Sequence, residues 1–577
     1  MALASNERQL RMGMGKHAKP ATDGPASAGK PTPRGTLVRI ALLLILKYAF
    51  PLVALGVGSY LLHDWRYLLA GALELAAIFL STNWLARKSA LLGSLVNGLL
   101  MLVFNVQAVV LVFASGYITP IMLSNIFNIQ DLVGKAALYV SGAVLAFVLS
   151  FLPIAGVGPQ VLLRFLPALA LAAACEAAAC LGVGMDYGPM ASTVQLVDAW
   201  NSYQQAISEL SGSETGVDPT TTPYFHDDVP GGVDRPASLP SQPNVIAIFV
   251  EGLSQQIVDD PRGIMPRVAS YEGRSLNFTG YYNHTAATFR ALNGQLYSGY
   301  QLNDLDANAL IPIQAILRVQ GYHTTLINTE PYYDSWTDFL GYMDFDEMVG
   351  ESSTGTYSIP GTSDGAKMSD GEAFQTLRDV VEREHGSGSP FFVAMYTFGT
   401  HASLDSPEER FGNGSSPMLN KFYNCDYQFG QFMDWFEGSE LADDTVVVFT
   451  ADHAAYSELD FTTAFPDYQR DHYFCDEIPC FYYYRGIEPA MVDANGRTTL
   501  DFAPTLLDYL DVSGPNCFLG RSLFLDDDPD DLDTVYFDGN MLSTSTGGTI
   551  ERPEGADSGV LLDQIRDYLS YARIPLD

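Results

Sequence analysis

The sequence is poor in cationic side chains. Its 577 residues contain 31 Lys and Arg against 67 Asp and Glu, which gives a formal net charge of −36. A nucleic-acid-binding protein needs a basic surface that displaces counterions from phosphates, so the acid excess argues against that class. Cysteine is also scarce, with six residues and no CxxC pair. Zinc binding through cysteines is therefore disfavoured.

Charged residues make up only 17% of the chain, whereas 47% is hydrophobic, so the acid excess does not belong to a disordered acidic tail. The charge is distributed unevenly. Residues 1–185 contain 13 Lys and Arg against 6 Asp and Glu, a net charge of +7, and residues 186–577 contain 18 against 61, a net charge of −43. This asymmetry indicates a membrane domain joined to a water-exposed domain.

The basic part contains five apolar stretches, each near the roughly 20 residues that cross about 30 Å of hydrocarbon. They lie at 40–62, 67–85, 90–113, 136–154 and 161–184. A soluble core would need five consecutive helices that are apolar on nearly every face, so we predict a five-helix transmembrane domain. Glu74 and Glu176 fall inside two spans, where a carboxylate normally faces protein or water. A transport role is less favoured, because no inverted repeat is visible.

Basic residues concentrate on one side of these spans. Seven precede the first span, and Arg87, Lys88 and Arg164 fall on the same side, whereas the opposite loops contain Arg66 and Lys135. The positive-inside rule places the N-terminus in the cytoplasm and, after five crossings, the large domain outside. We therefore predict a multi-pass cell-membrane protein with four segments: a basic cytoplasmic tail (1–39), the transmembrane domain (40–185), an interfacial helix and linker (186–243) and an extracellular catalytic domain (244–577).

Within the last segment, apolar strands alternate with helical patterns. The stretches VIAIFV (245–250), FFVAMYTF (391–398) and TVVVFT (445–450) are typical of strands buried on both faces, which predicts an α/β domain with a mostly parallel central sheet. Functional side chains in such sheets gather past the carboxyl ends of strands. Glu251 follows the first stretch, and Asp452 and His453 follow the third. Carboxylate and imidazole donors predict a site for one Mn²⁺, Zn²⁺ or Mg²⁺ ion.

A candidate nucleophile lies in the segment NHTAATFRALNGQLYSG (283–299). Thr288 stands at the predicted start of a helix, where free N–H groups and the helix dipole favour negative charge. A threonine at this position is ordinarily only a cap. Next to a divalent cation, its hydroxyl could instead attack phosphorus or sulfur. Thr285 is the alternative nucleophile.

These features occur in a familiar order. Strand-Glu251, helix-start Thr288, FGTHASL with His401, the ADH of Asp452 and His453, and the ending APTLLDYL…FLGRSLF together resemble the sulfatase-type branch of the alkaline phosphatase superfamily. With five spans ahead of the domain, the chain is most similar to the phosphoglycerol transferases of the lipoteichoic acid synthase family. The resemblance implies an alkaline phosphatase/sulfatase-like fold for the extracellular domain.

The resemblance also implies roles for individual residues. Glu251, Thr288, Asp452 and His453 would ligate one ion, most often Mn²⁺, and Thr288 would be the covalent nucleophile. His401 would contact substrate and either supply a proton or neutralise a phosphate oxygen. The donor would be a phospholipid, phosphatidylglycerol in that family, and the acceptor an extracellular glycan or glycolipid.

The sequence departs from the family pattern at one informative place. Trp336 matches a substrate-pocket tryptophan, but the arginine expected two residues later is Asp338. Either another cation such as Arg290 meets the phosphate, or the donor head group is different and itself cationic. A phosphoethanolamine transferase and a hydrolase of the superfamily, either phosphodiesterase or sulfatase, are therefore alternatives. So is an inactive binding module, although the intact ligand set argues against it.

A sulfatase of the usual kind is disfavoured, because no cysteine or serine stands in a C/S-x-P-x-R motif and CFLGR (517–521) lacks the proline. Four cysteines fall in the extracellular segment. We predict a disulfide between Cys475 and Cys480, which would close a small loop.

Overall fold

The structure is a computed structural model of the whole chain. The residues that it describes are 33–114, 116–119, 122–123, 136–154, 187–210, 218–301, 306–331, 334–350, 357, 367–402, 404–468, 470, 472–526, 528, 533–537, 540–545, 549–553 and 556–575.

Three long apolar helices, α1 (Pro33–Leu61), α2 (Arg66–Ala86) and α3 (Ala90–Ala114), pack against one another. Each contains a stretch of 18 or more residues with a mean hydropathy between 1.5 and 2.2, long enough to cross a membrane. The first three predicted spans are thus confirmed as long apolar helices. The fourth predicted span, 136–154, contains the shorter apolar helix α4 (Ala136–Ser150), whose 15 residues fall below the length that crosses a membrane. The fifth, at 161–184, lies outside the described residues, as does Glu176.

The polarity of this bundle is the reverse of a soluble core. Apolar side chains such as Ile45, Val53 and Leu91 are exposed on its surface. Polar side chains are buried between the helices, where Asn97 donates to Thr82 Oγ1 over 2.8 Å and Asn105 donates to Ser150 Oγ over 2.8 Å. Hydrogen bonds between helices and an apolar exterior are typical of proteins in lipid.

Helix α5 (Pro189–Leu210) includes the predicted interfacial helix, and it is tied to α2 by Glu74. The buried carboxylate of Glu74 accepts the N–H groups of Met190 over 2.7 Å and Ala191 over 2.9 Å. An anionic side chain at a helix N-terminus satisfies amides that have no partner inside the helix. Glu74 thus faces protein, as predicted for an acidic residue inside a span.

The rest of the described chain is built on an eight-stranded sheet in the spatial order β5-β4-β6-β1-β7-β8-β2-β9. Seven strands run in one direction and β8 is antiparallel to both of its neighbours, so the sheet is mostly parallel, as predicted, but mixed. Its strands are β1 (Asn244–Val250), β2 (Leu276–Thr279), β4 (His323–Ile327), β5 (Glu347–Val349), β6 (Phe391–Tyr396), β7 (Thr445–Ala451), β8 (Cys480–Tyr483) and β9 (Ala490–Asp493).

Two small sheets complete the strand set. β3 (Asp306–Asn308) pairs with β13 (Arg573–Pro575), and the other sheet consists of β10 (Thr534–Phe537), β11 (Asn540–Ser545) and β12 (Thr549–Glu551). The helices are α6 (Gln255–Val258), α7 (Pro266–Glu272), α8 (Thr288–Tyr297), α9 (Ile313–Val319), α10 (Asp334–Gly341), α11 (Asp370–Ser387), α12 (Pro417–Gly438), α13 (Leu459–Ala464), α14 (Phe502–Tyr509) and α15 (Ala556–Ala572). Short 3₁₀ helices lie at Pro219–Thr221, Glu440–Asp443 and Thr499–Asp501.

Helices cover both faces of the large sheet, which explains why the central strands are apolar throughout. All seven residues of β1 and of β7 are buried. Phe249 of β1 packs on Phe502 of α14, whereas Phe449 of β7 packs on Phe429 of α12. Alternate residues of a strand point to opposite faces, so each strand needs apolar side chains on both.

The segment 218–243, predicted as part of a linker, lies against this domain. Val229 and Leu239 belong to its hydrophobic core, and the N–H of Gly232 donates to Asp508 over 2.8 Å. His226 forms a two-way backbone bridge with Asn516. These contacts fasten the chain to the domain before β1 begins.

The helix that carries Thr288 depends on a glycine. A Cβ added at Gly294 would lie 2.0 Å from the Nε2 atom of buried His284 and 2.6 Å from the carbonyl oxygen of Gly299. We expect Gly294→Ala to lower the unfolding temperature markedly, because overpacking costs about 1–3 kcal/mol or more. The matched control is Gly386→Ala in α11, where nothing lies within 4 Å and alanine favours the helix. Thermal unfolding in detergent measures both, and equal shifts would contradict this packing.

Candidate metal centre and nucleophile

The candidate ligands are brought together by the register of two adjacent parallel strands. Val250 of β1 pairs with Ala451 of β7, so Glu251 and Asp452 emerge side by side at the carboxyl edge of the sheet. His453 follows directly. One donor atom from each of the three residues lies within 4.8 Å of the others, and all three residues are buried. Three of the predicted ligands thus share one place in the described structure.

Hydrogen bonds fix the orientation of this group. Asp452 Oδ1 accepts the N–H of Gly252 over 2.8 Å and that of His453 over 2.6 Å. His453 Nδ1 lies 2.8 Å from the carbonyl oxygen of Ala454, so it is the donor in the neutral ring. The other ring nitrogen, Nε2, then faces Glu251 Oε1 at 3.6 Å and Asp452 Oδ2 at 3.7 Å with its lone pair available.

The donor set fits a divalent cation. Asp452 Oδ2 is buried and has no hydrogen-bond partner among the described residues, which is costly for a carboxylate oxygen. It is directed at the same space as Glu251 and His453 Nε2. Two carboxylates and one imidazole are ligands that Mn²⁺, Zn²⁺ and Mg²⁺ accept.

The pKa shifts of Glu251 and His453 also indicate that this group lacks a positive charge. Burial raises the pKa of Glu251, and the neighbouring Asp452 carboxylate raises it further. Burial lowers the pKa of His453, but the carboxylates of Asp452 and Glu251 outweigh it, and the net pKa is raised. Both shifts mean that the metal-free site takes up protons in place of a cation.

Thr288 is the first residue of α8 and reaches this group directly. Its hydroxyl donates to Glu251 Oε2 over 2.7 Å. The preceding residue, Ala287, has φ = +71°, a strained backbone for a residue with a Cβ. The N–H of Ala287 donates to the Tyr456 hydroxyl over 3.0 Å, which stabilises this turn. The alternative, Thr285, is buried elsewhere and donates to the carbonyl of Tyr536 over 2.8 Å.

His401 lies on a loop that is fastened to Glu251 at two points. The N–H of Glu251 donates to Thr397 Oγ1 over 3.1 Å, and Thr400 Oγ1 donates to the Glu251 carbonyl over 2.6 Å. The His401 ring stacks on Phe398, with centroids 5.0 Å apart. His401 is close enough to Glu251 to offset part of the rise in the pKa of the Glu251 carboxyl that burial causes.

The other predicted substrate contacts surround this centre. Trp336 Nε1 donates to the Tyr396 hydroxyl over 2.8 Å, and its ring meets Phe289 of α8 edge-on. Arg290 is buried with its guanidinium over the Phe537 ring. Asp338 is exposed on α10. Substrate contact by Trp336, Arg290 and His401 stays a prediction.

The prediction missed supporting residues. The Tyr456 ring packs against that of His453 with centroids 5.0 Å apart, and its hydroxyl accepts the N–H of Ala287 just before Thr288. Arg470 forms a buried ion pair with Asp476 over 3.1 Å. Its positive charge offsets part of the rise in the pKa of His453 that the two carboxylates cause. Tyr456 stands three residues after His453, and this closeness in sequence to a predicted ligand is the feature that could have identified it. Arg470 has no comparable signal, because it lies far along the chain.

The predicted disulfide is corrected by the structure. Cys475 and Cys480 are both free and buried. Cys480 begins β8 inside the main core, whereas Cys475 belongs to a separate cluster with Phe474, Val535 and Phe537. The two thiols therefore belong to different hydrophobic clusters.

Comparisons with known proteins find similarity over this same domain. Residues 243–512 match the Sulfatase family model. Similar solved structures include an alkaline phosphatase superfamily protein from Vibrio parahaemolyticus, at 20% identity over 64% of this chain and 95% of that one, with a TM-score of 0.48. No curated protein matches the chain.

Two further similar structures are those of a lipoteichoic acid synthase and of an integral membrane protein. The lipoteichoic acid synthase LtaP from Listeria monocytogenes is 16% identical over 64% of this chain and 96% of that one, with a TM-score of 0.44. The integral membrane protein lipooligosaccharide phosphoethanolamine transferase A from Neisseria meningitidis is 14% identical over 84% of this chain and 95% of that one, with a TM-score of 0.48.

We expect Mn²⁺ to bind the purified protein with an affinity that rises from about pH 6 to 8, because the ion must displace protons from groups with raised pKa values. Asp452→Asn should weaken binding by more than the roughly 10–100-fold that loss of an outer-shell partner costs. The same variant should make the metal-free protein more stable, because a buried charge is removed.

Calorimetric titration and thermal unfolding in detergent measure these effects. Asp379→Asn, on the exposed side of α11, is the control and should change neither. Mn²⁺ binding of equal strength in Asp452→Asn and the unchanged protein would contradict the ligand assignment.

Proposed function

We propose that this protein is a membrane-anchored, metal-dependent transferase that moves a phospho-head-group from a lipid to an extracellular glycan or glycolipid through a covalent Thr288 intermediate. The most favoured donor is phosphatidylglycerol, which supplies phosphoglycerol. The observation that carries the proposal is the 2.7 Å hydrogen bond from the Thr288 hydroxyl to Glu251, within a buried group of metal donors at a helix N-terminus.

The residues present suit such a reaction. A divalent cation held by Glu251, Asp452, His453 and Thr288 Oγ1 would stabilise charge on phosphate oxygens and favour the Thr288 alkoxide. The Thr288 hydroxyl would lose its proton to solvent, and Oγ1 would form a bond to phosphorus while the phosphorus–oxygen bond to diacylglycerol breaks and His401 donates a proton to the leaving oxygen. The N–H groups at the start of α8 would donate hydrogen bonds to the negatively charged phosphate oxygens.

The position of the site relative to the apolar helices supports a lipid donor. Helix α13 begins six residues after His453 and contacts α3 of the apolar bundle. A domain held next to a bilayer meets head groups at high effective concentration. In the predicted topology, that face is the outer one.

Phosphoethanolamine transfer is the second candidate. Asp338 is exposed two residues after Trp336, where the resemblance leads one to expect arginine. A carboxylate there would attract the ammonium of phosphatidylethanolamine and repel an anionic head group. Hydrolysis by water in place of transfer to a glycan is the third candidate.

The test uses full-length protein with Mn²⁺ and vesicles that contain either phosphatidylglycerol or phosphatidylethanolamine. We expect release of diacylglycerol and a mass increase of one glycerophosphate on the peptide that contains Thr288. Thr288→Ala should abolish the adduct, because its hydroxyl is the only oxygen that the side chain offers to phosphorus. Mass spectrometry of the peptide measures both.

Thr285→Ala is the matched control, because Thr285 lies three residues away with its hydroxyl bound to Tyr536. It should retain the adduct. An ethanolamine-phosphate adduct would select the second candidate, and free phosphoglycerol without an adduct would favour a hydrolase. Diacylglycerol from neither lipid would overturn the transferase proposal.

A further inference from the structure

Tyr456 is held in one position beside the candidate metal centre. Its ring packs against that of His453 with centroids 5.0 Å apart. It also stacks with the ring of Tyr473, at a centroid distance of 4.9 Å and an interplanar angle of 8°. Contacts with two rings leave the tyrosine little freedom to turn, so packing sets the place of its hydroxyl.

That hydroxyl lies next to the candidate nucleophile. Its oxygen accepts the N–H of Ala287 over 3.0 Å, and Ala287 directly precedes Thr288. The Thr288 hydroxyl in turn donates to Glu251 over 2.7 Å. A group bound to Thr288 Oγ1 would therefore lie beside the Tyr456 hydroxyl.

The Tyr456 hydroxyl keeps its proton. Burial raises the pKa of this group well above its ordinary value, and the carboxylates of Glu251 and Asp452 raise it further, although Arg290 opposes this. The influence of both carboxylates also shows that the hydroxyl is close to the ligand set. At neutral pH it is thus an uncharged hydrogen-bond donor.

The proton has no acceptor among the residues that the structure describes. A tyrosine hydroxyl can accept and donate at once, but Tyr456 only accepts, from Ala287. Other tyrosines of the domain donate to fixed acceptors, as Tyr300 does to the Thr534 carbonyl over 2.7 Å and Tyr483 does to Glu437 over 2.6 Å. Tyr456 therefore presents an unused donor at the centre.

The acceptor that suits this donor is an anionic oxygen that arrives with the substrate. The oxygens of Glu251 and Asp452 share one small space with His453, where a cation would occupy them. A phosphoryl group bound to Thr288 would bring further anionic oxygens to the same place. A hydrogen bond to a charged oxygen is stronger than one between neutral groups, and a neutral donor provides it without a second cation.

We propose that Tyr456 is a further catalytic residue, whose hydroxyl donates a hydrogen bond to a non-bridging oxygen of the phosphoryl group that moves to Thr288. This role rests on the proposed transferase function. Because the same hydroxyl accepts the N–H of Ala287, it would join the strained turn before the nucleophile to the bound phosphate.

The first test is calorimetric titration of inorganic phosphate into the full-length, Mn²⁺-loaded protein in detergent. We expect Tyr456→Phe to bind phosphate about 10- to 100-fold more weakly, because one hydrogen bond to a charged oxygen is lost. Its affinity for Mn²⁺ should be unchanged, because the ring that packs against His453 is kept. Tyr483→Phe is the matched control, since its hydroxyl binds Glu437 and its strand position faces Val447, near the opposite end of β7. It should bind phosphate like the unchanged protein.

The second test separates donation to phosphate from support of the turn. Ala287→Gly removes the strain at φ = +71°, because glycine adopts positive φ at no steric cost. The rate of Thr288 adduct formation from lipid vesicles is compared between Ala287→Gly and the double variant Ala287→Gly/Tyr456→Phe, and between the unchanged protein and Tyr456→Phe. We expect Tyr456→Phe to slow the reaction about 100-fold or more in both backgrounds, because glycine does not replace the missing donor.

Equal phosphate affinity in Tyr456→Phe, or a slowing that disappears in the Ala287→Gly background, would overturn the inference and leave Tyr456 as a support of the turn. Phosphate that does not bind the unchanged, Mn²⁺-loaded protein would overturn it as well. Weaker phosphate binding by Tyr456→Phe, without any Thr288 adduct in the unchanged protein, would refute the transferase and leave the contact with phosphate. An adduct that forms equally fast in Tyr456→Phe would refute the catalytic role and leave the transferase.

Discussion

The pairing of β1 with β7 is the constraint on which the site depends. The register that joins Val250 to Ala451 also forces Glu251 and Asp452 into adjacent positions at the edge of the sheet. Both carboxylates are buried, and their mutual repulsion at short range is large in a medium of low dielectric constant. The sheet can hold them there because its core strands are buried on both faces, and a shift of one residue would move each side chain to the opposite face, where it would meet different packing partners. Packing energy from the whole domain thus sustains a local arrangement that is unfavourable without a cation.

The loops around the site are held in place by contacts with Glu251 and His453. Thr397 and Thr400 bind the backbone of Glu251 on both sides, so the loop that carries His401 moves only if the metal ligand moves. On the other flank, Tyr456 packs on His453 and accepts the N–H of Ala287, which fixes the strained residue before Thr288. Backbone strain of about 1–3 kcal/mol persists only where the surroundings over-determine it. The candidate nucleophile, the candidate proton donor and the candidate ligands are therefore linked to one another by direct contacts.

The sequence was sufficient to predict those parts that depend on short-range patterns. The apolar strands that precede Glu251 and the pair Asp452 and His453 can be recognised directly in the sequence. That these residues lie close together follows from the geometry of parallel sheets. The direction of β8 was not predictable, because an all-apolar strand carries no signal of its orientation. The cysteine prediction failed for a related reason: only four residues lie between Cys475 and Cys480, but Cys480 begins β8 in the main core, whereas Cys475 packs in a different cluster. Arg470 was missed because it approaches His453 only through tertiary contacts.

The negative charge of the acidic part would oppose the binding of an anionic lipid, and attachment to the apolar helices compensates for this. The acidic part carries a net charge of −43 and would repel an anionic lipid at long range, although salt screens this field beyond roughly 8–10 Å. Attachment to apolar helices removes the need for long-range attraction, because the domain never has to find the bilayer by diffusion. In the proposed reaction, recognition of phosphate would be left to groups within a few ångströms, namely a cation held by Glu251, Asp452 and His453 and the N–H groups at the start of α8.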